Sequence, residues 1–477
     1  MTSPIKRKHL PKSLTEGSIV KALITLAVPI VLGNILQTAY QLTDTFWVGR
    51  LGVEAVAAVS LSFPIIFLLI SLGGGFAIAG TILVAQYKGK KEQYNVDHIA
   101  AQTMIMVLIL STALSTVGYF LSEPIIKFMG ADPAVLAGAV SYLRISFIGV
   151  IFLFGYFVFQ SLMRGVGDVK TPMIIVLGTV LLNLILDPLF IFGFGPIPAF
   201  GVSGAAMATI GTQGIAAILG IIMLFSGKYG VHLKTKHLKP DFAIIRKMFK
   251  LGFPASIEQS TRALNFTIMT LLVASFGTLA VASYGIGFRI LSFVIIPAMG
   301  LSMANSTLVG HNMGAGKIER AVKTSQVSSL LAFMTLTVVG ILLFVFAAPI
   351  AGTFIPSDME VIQMSSVFIR IMALTFGFIG VQQVLTGTLQ GSGNTVLSMT
   401  LSIATSWVIN FPLAYILSKH SSLGIDGLWW SFPISNVFGA TILYVAYRNG
   451  SWKSKKITEE FKISKEVMKE AIIDERK

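Results

Sequence analysis

The 477-residue chain contains no cysteine, which excludes disulfide frames, thiol catalysis and thiolate metal sites together. Charge is scarce as well: Asp, Glu, Lys and Arg make up 12% of the residues, where a soluble domain carries about 25%. There are six histidines, and the pair closest together, His232 and His237, lies in a basic stretch poorly suited to zinc. Phosphate-binding loops are lacking too. Gly314-Ala-Gly-Lys317 begins like one, but Ile318 stands where Ser or Thr is required and His311 takes the place of the first glycine. No ATPase, no enzyme and no bound cofactor are expected.

What the chain has is hydrocarbon. Hydrophobic residues are 54% of it and its mean hydropathy is +0.80, which places it in a membrane. Apolar segments fall near residues 19–46, 54–86, 96–121, 136–163, 171–194 and 201–226, then 251–275, 279–311, 324–350, 362–389, 396–418 and 424–447. The expectation is an all-α integral membrane protein of twelve transmembrane helices, the second and eighth longer than one bilayer width. The apolar run after the basic first 16 residues is too long for a signal-peptide core, so the start is expected to stay attached.

Net charge is +15, which in a soluble protein would suggest nucleic acid. Here it follows a membrane pattern instead. With the N-terminus inside, 28 of the 36 Lys and Arg residues fall on inner loops and tails, and only Arg50, Lys127 and Lys419 fall on outer loops. Both ends are therefore expected in the cytosol, in a plasma or inner membrane, with the bilayer and no nucleic acid as partner.

The chain also repeats. A shift of 225 residues lays Leu26-Ala-Val-Pro29 on Leu251-Gly-Phe-Pro254, Gly52 on Gly277 and Gly75 on Gly300. One residue more aligns Arg144 with Arg370 and Arg164-Gly-Val-Gly167 with Gln390-Gly-Ser-Gly393; after a small gap Gly201-Val-Ser-Gly204 meets Gly424-Ile-Asp-Gly427. This divides the chain into an N-terminal tail (1–18), an N-lobe (19–226), a basic connector (227–250), a C-lobe (251–447) and an amphipathic tail (448–477), where Ile457, Phe461, Met468 and Ile472 recur at helical spacing. Parallel repeats imply two pseudo-symmetric six-helix lobes with a central cleft.

Polar residues inside the spans carry the chemistry. Asn34, Gln37, Gln41 and Asp44 share one helical stripe, and Asn183 and Asp187 are one turn apart. A carboxylate in a membrane helix costs about 2.5–3.5 kcal/mol, so the two acids mark an ion or substrate path. Pro188 leaves the carbonyl of Leu184 without a donor, and Pro29 does the same for Thr25; both prolines are candidate hinges. Free carbonyls, Asn183 and two acids that cannot both ionise cheaply suit sodium or a shared proton, with Thr209 able either to add an oxygen or to bond back to its own helix. The competing reading is an ion pair of the acids with Arg144. Against it, Arg370 keeps the arginine in the second repeat, where Met269 and Leu413 stand in the acids' places. Glu258 and Arg262, four apart, either neutralise each other or line a cavity with Gln259, Asn265, Gln382 and Gln383.

Leu14-Thr-Glu-Gly17, Asp44-Thr-Phe-Trp-Val-Gly-Arg-Leu-Gly52, Arg164-Gly-Val-Gly-Asp168 with Thr171-Pro172, and Asn183 with Asp187-Pro188 resemble the multidrug and toxic compound extrusion (MATE) transporters over residues 14 to 448, most closely their DinF-like branch. The resemblance implies an antiporter that exports cationic or amphipathic small molecules against inward sodium or protons, and a monomer is expected. By motif match the cation site would be Asp44, Asn183 and Asp187, with Thr209, and these would hold sodium if that is the coupling ion. Asn34, Gln37, Gln41, Glu258, Arg262 and Gln382 are candidate substrate-cavity residues. A lipid-linked precursor flippase of the same superfamily is the alternative, distinguished by a cavity rich in unpaired cations.

Overall fold

The computed structural model describes residues 14–356, 358–455 and 457–460, and its only β pairing among them is an isolated bridge between Phe194 and Ile197. The basic residues of the N-terminal tail, and Phe461, Met468 and Ile472 of the C-terminal one, lie outside the described residues.

The first repeat folds as α1 (Ile19–Gly49), α2 (Val53–Gly89), α3 (Gln93–Phe128), α4 (Pro133–Gly165), α5 (Lys170–Phe192) and α6 (Val202–Ser226). The second folds as α7 (Phe242–Ala274), α8 (Thr278–Gly314), α9 (Ile318–Val345) with the short α10 (Ala347–Gly352), α11 (Met359–Ala373), α12 (Phe376–Ser392), α13 (Thr395–Ile403), α14 (Phe411–Lys419) and α15 (Ile425–Arg448). A final turn, α16, covers Ile457–Glu460. Every expected apolar segment is helical.

Helix starts repeat in their backbone detail. Gly52 and Gly277 open α2 and α8 at φ 110° and 97°, and Gly201 and Gly424 open α6 and α15 at φ 58° and 55°, angles that favour glycine. Asp132 and Asp358 cap α4 and α11 by accepting from backbone N–H groups of the first turn.

Two segments depart from simple spans. The tenth is broken between α11 and α12 by a bend of 53°. The eleventh widens into a π turn over Ala404–Asn410 before Pro412, whose ring and missing N–H disfavour the ordinary ladder to Val408. Among the described residues nine helices are long and apolar enough to cross a membrane, ten if the bent pair is one span. Of the long helices, those below that threshold are α7, which carries Lys250, Glu258 and Arg262, and α15, which carries Asp426 and Asn436. The chain is thus a multi-pass membrane protein.

Two compact units emerge. One holds Leu32–Ser256 with Ile457; the other holds Leu14–Val31 and the chain from Ile257 through residue 455. Their boundaries lie just past Pro29 inside α1 and just past Pro254 inside α7, not in the connector. Leu83, Ile99, Phe154, Phe159 and Leu162 are buried at the centre of the first unit, Tyr284, Phe368, Phe376 and Trp429 at that of the second.

The start of the C-terminal tail is packed. Trp452 is fully buried, stacks on Tyr447 and donates to its carbonyl at 3.0 Å, while Ile457 joins the first unit's core. The connector is equally well held. Gln102 of α3 donates to the carbonyls of His237 and Lys239 at 2.9 and 2.8 Å and accepts from Asp241 N, and Asp97 accepts from His232 N.

Candidate functional site

In the first unit, α1, α5 and α6 bring Asp44, Asn183, Asp187 and Thr209 into one polar nest. The approach of α6 to α5 depends on Gly204, where a Cβ would strike the carbonyl of Phe190. Asn183 and Asp187 are wholly buried, and Asn183 Nδ2 donates to Asp187 Oδ1 at 2.7 Å. The remaining oxygens, Asp44 Oδ1, Asn183 Oδ1, Asp187 Oδ2 and Thr209 Oγ1, are buried with no hydrogen-bond partner among the described residues. Thr209 therefore does not bond back to its helix; Thr212 does, onto the carbonyls of Ala208 and Thr209.

Asp44 and Asp187 lie within electrostatic reach of each other and of the Tyr40 and Tyr142 hydroxyls. Tyr40 shares a 2.5 Å hydrogen bond with Thr212 and donates to the carbonyl of Thr209. These three hydroxyl residues escaped the sequence reading. Tyr40 was within reach of it, since it stands one turn before Asp44, whereas nothing in the chain singles out Tyr142 or Thr212.

Among the described residues no cationic side chain pairs with the acids. Arg144 instead lies 3.4 Å from Glu123 and over the Tyr119 ring, and Arg370 donates to the carbonyl of Phe344. Leaving a buried polar atom unpaired costs about 1–3 kcal/mol, so four unpaired oxygens, two of them from carboxyls, form a pocket that a hard cation or a proton would satisfy. Among the described residues no group of three or more His, Cys, Asp or Glu side chains could hold a metal ion, so the donor set is two acids and neutral oxygens.

The second repeat fills the same place with apolar side chains. Asp44 corresponds to Met269, Tyr142 to Phe368 and Thr209 to Phe432. Met269 and Phe368 are buried in one core cluster with Phe432 packed against it, and the Phe368 and Phe432 rings are 5.9 Å apart.

The other candidates are dispersed. Asn34 Nδ2 is buried without a partner among the described residues, Gln37 is half-buried, and Gln41 is exposed. Glu258 is 2% exposed and satisfied: Arg262 donates to it at 2.8 Å, Ser398 at 2.7 Å and Gln390 at 3.2 Å. Arg262 also donates to Gln383 at 2.9 Å. Gln382 is half-buried beside Gly439. Pro29 and Pro188 sit inside α1 and α5, each of which runs as one continuous α-helix.

The MatE family model matches residues 29–189 and 254–416, one match in each repeat, opening at Pro29 and Pro254. The chain belongs to the MATE family of multidrug efflux transporters. It is 30% identical over 448 residues to the probable multidrug resistance protein YoeA of Bacillus subtilis, covering 93% of this chain and 96% of the relative. It is 28% identical over 458 residues to the probable multidrug resistance protein NorM of Thermotoga maritima, covering 94% and 97%. A solved structure described as the outward-facing conformation of a multidrug resistance MATE family transporter superposes with a TM-score of 0.87 at 26% identity, over 94% of this chain and 100% of that one.

Proposed function

We propose that the protein is a secondary active antiporter that exports cationic or amphipathic organic compounds in exchange for inward sodium or protons, by alternating access. The observation that carries the proposal is the nest of unpaired oxygens around Asp44 and Asp187, buried in apolar helices with no cationic side chain among the described residues to neutralise it. A cation or proton entering the nest satisfies the acids; its release leaves a fixed negative charge that must be compensated before the site can return. Tyr40 and Thr212 hold α1 and α6 together at the nest, so occupancy is transmitted to both helices. Confinement of the acids to the first repeat supports the DinF-like branch, and the distribution of Lys and Arg supports cytosolic termini and connector.

The flippase reading draws on Arg289, which is exposed on α8 with no acidic partner among the described residues. A polyanionic headgroup needs several free cations in one place, whereas Arg144 and Arg262 are each paired with a glutamate and Arg370 donates to the carbonyl of Phe344.

The test is transport of a fluorescent organic cation in sealed vesicles with sodium and pH gradients imposed separately. Accumulation driven by one of them, and collapsed when that gradient is dissipated, is expected. Transport indifferent to both would overturn the antiport reading.

A further inference from the structure

Among the described residues the chain passes between the two compact units at three places. Two are inside helices, just past Pro29 in α1 and just past Pro254 in α7. The third follows α15, where residues through 455 belong to the second unit and Ile457 to the first.

The two ends of this third crossing are held differently. Gly450, at φ 73°, closes α15 in left-handed backbone and turns the chain back on the helix. Trp452 is thereby fully buried in the second unit with Val309, Leu389 and Leu443. Its ring stacks on Tyr447 at 5.4 Å and its Nε1 donates to the Tyr447 carbonyl, while the Tyr447 hydroxyl donates to Val322 O of α9 at 3.2 Å. The far end has one apolar anchor. Ile457, 1% exposed, enters the first unit's core cluster, which includes Tyr87 at the end of α2. Tyr87 donates to the carbonyl of Thr458 at a long 3.5 Å. A stacked, hydrogen-bonded indole is the firm end; a single isoleucine in a one-turn helix is the end that lets go.

The crossing has little slack. Trp452 and Ile457 are five peptide steps apart, a length that extends to at most about 18 Å, and Lys455 is already in extended backbone (φ −70°, ψ 116°). While Ile457 is docked, the ends of α2 and α15 cannot move apart beyond that reach.

We propose that the chain from Trp452 to Ile457 is a releasable strap on the transport cycle. Docked, it restrains opening at the face where α2 and α15 end; opening there requires Ile457 to leave the first unit. The proposal rests on the alternating-access reading above, and not on which ion drives transport.

Double electron–electron resonance on the full-length chain in liposomes tests it, with spin labels at Lys90→Cys after α2 and Asn449→Cys after α15; the absence of native cysteine makes the labelling specific. Two changes release the strap in different ways. Ile457→Asp undocks it, and an insertion of about twelve Gly and Ser residues between Ser454 and Lys455 lengthens it with both anchors kept. Each should raise the share of the widest separations about three-fold or more, with the melting temperature of the insertion variant unchanged. Distances unaltered in both variants would overturn the proposal. So would widening in Ile457→Asp alone, which would show an effect of the isoleucine's packing and not of a tether. Transport indifferent to ion gradients would end the antiport reading without altering these distances, so the two failures are told apart.

Discussion

Asn183 donates its one well-placed amide hydrogen to Asp187 across a single turn of α5, at 2.7 Å, and so fixes which oxygens stay free. Its own carbonyl oxygen and the second carboxyl oxygen of Asp187 are left buried and unpartnered, next to Asp44 and Thr209. The pair is a holder: one contact sets the rotamers and two acceptors remain for a cation or proton.

The ion pair in α7 behaves oppositely, because Glu258 has all its acceptors used. Arg262→Met would strand a carboxylate that is 2% exposed, with Ser398 and Gln390 as its remaining donors. A loss of about 3 kcal/mol is expected, read as a lower melting temperature in detergent, and Glu258→Gln in the same chain should recover most of it. An unchanged melting temperature in Arg262→Met would show that the pair is not structural.

His237 offers a pH test outside the membrane segments. Burial against Tyr94 and His98, and the nearby positive charge of Lys236, hold its imidazole at a pKa of about 4, below the ordinary histidine value. The unfolded connector therefore takes up a proton first, so its packing is fully stable above about pH 6.5 and is progressively lost as pH falls toward 4. Limited proteolysis of the connector should accelerate across that window in the wild type and lose the dependence in His237→Phe.

Topology is accessible in a chain without cysteine. A cysteine introduced at Lys236 should react with an impermeant maleimide only in inside-out vesicles. Labelling from the outside of intact cells would reverse the orientation.

Pro29 lies just before the point where α1 passes from one compact unit to the other, and Pro254 does the same in α7. Weakened ladders at those points would let the two ends of each helix follow different units. Pro29→Ala should slow transport severalfold with little change in melting temperature. Unchanged rate and ion coupling would remove the hinge from the cycle.

Much of this was legible in the sequence, and the reasons for the remainder are physical. The repeat could be read because it is written in glycines: Gly52 and Gly277, or Gly201 and Gly424, hold left-handed backbone that other residues avoid. The acids could be read because carboxylates are rare in hydrocarbon. The bend between α11 and α12 could not, since Ala373-Leu-Thr-Phe376 contains no proline or glycine. The packing of Trp452 was hidden by its charged neighbours, whose pattern suits a surface helix equally well. Tyr142 was hidden for the converse reason: an aromatic residue in an apolar helix looks the same whether it fills a core or edges a polar nest.

The most direct test compares melting temperature in detergent with gradient-driven efflux in vesicles for Asp44→Asn and Asp187→Asn. Each change removes a charge that the bilayer penalises and keeps the side chain's shape, and Arg144 has its partner in Glu123, so both variants should melt at or above the wild-type temperature. Efflux coupled to the ion gradient should nevertheless disappear, because an amide cannot exchange a fixed negative charge between cation and substrate. Variants that melt early and are rescued by Arg144→Met, or that keep full coupled efflux, would show that the acids are scaffold and not the cation site.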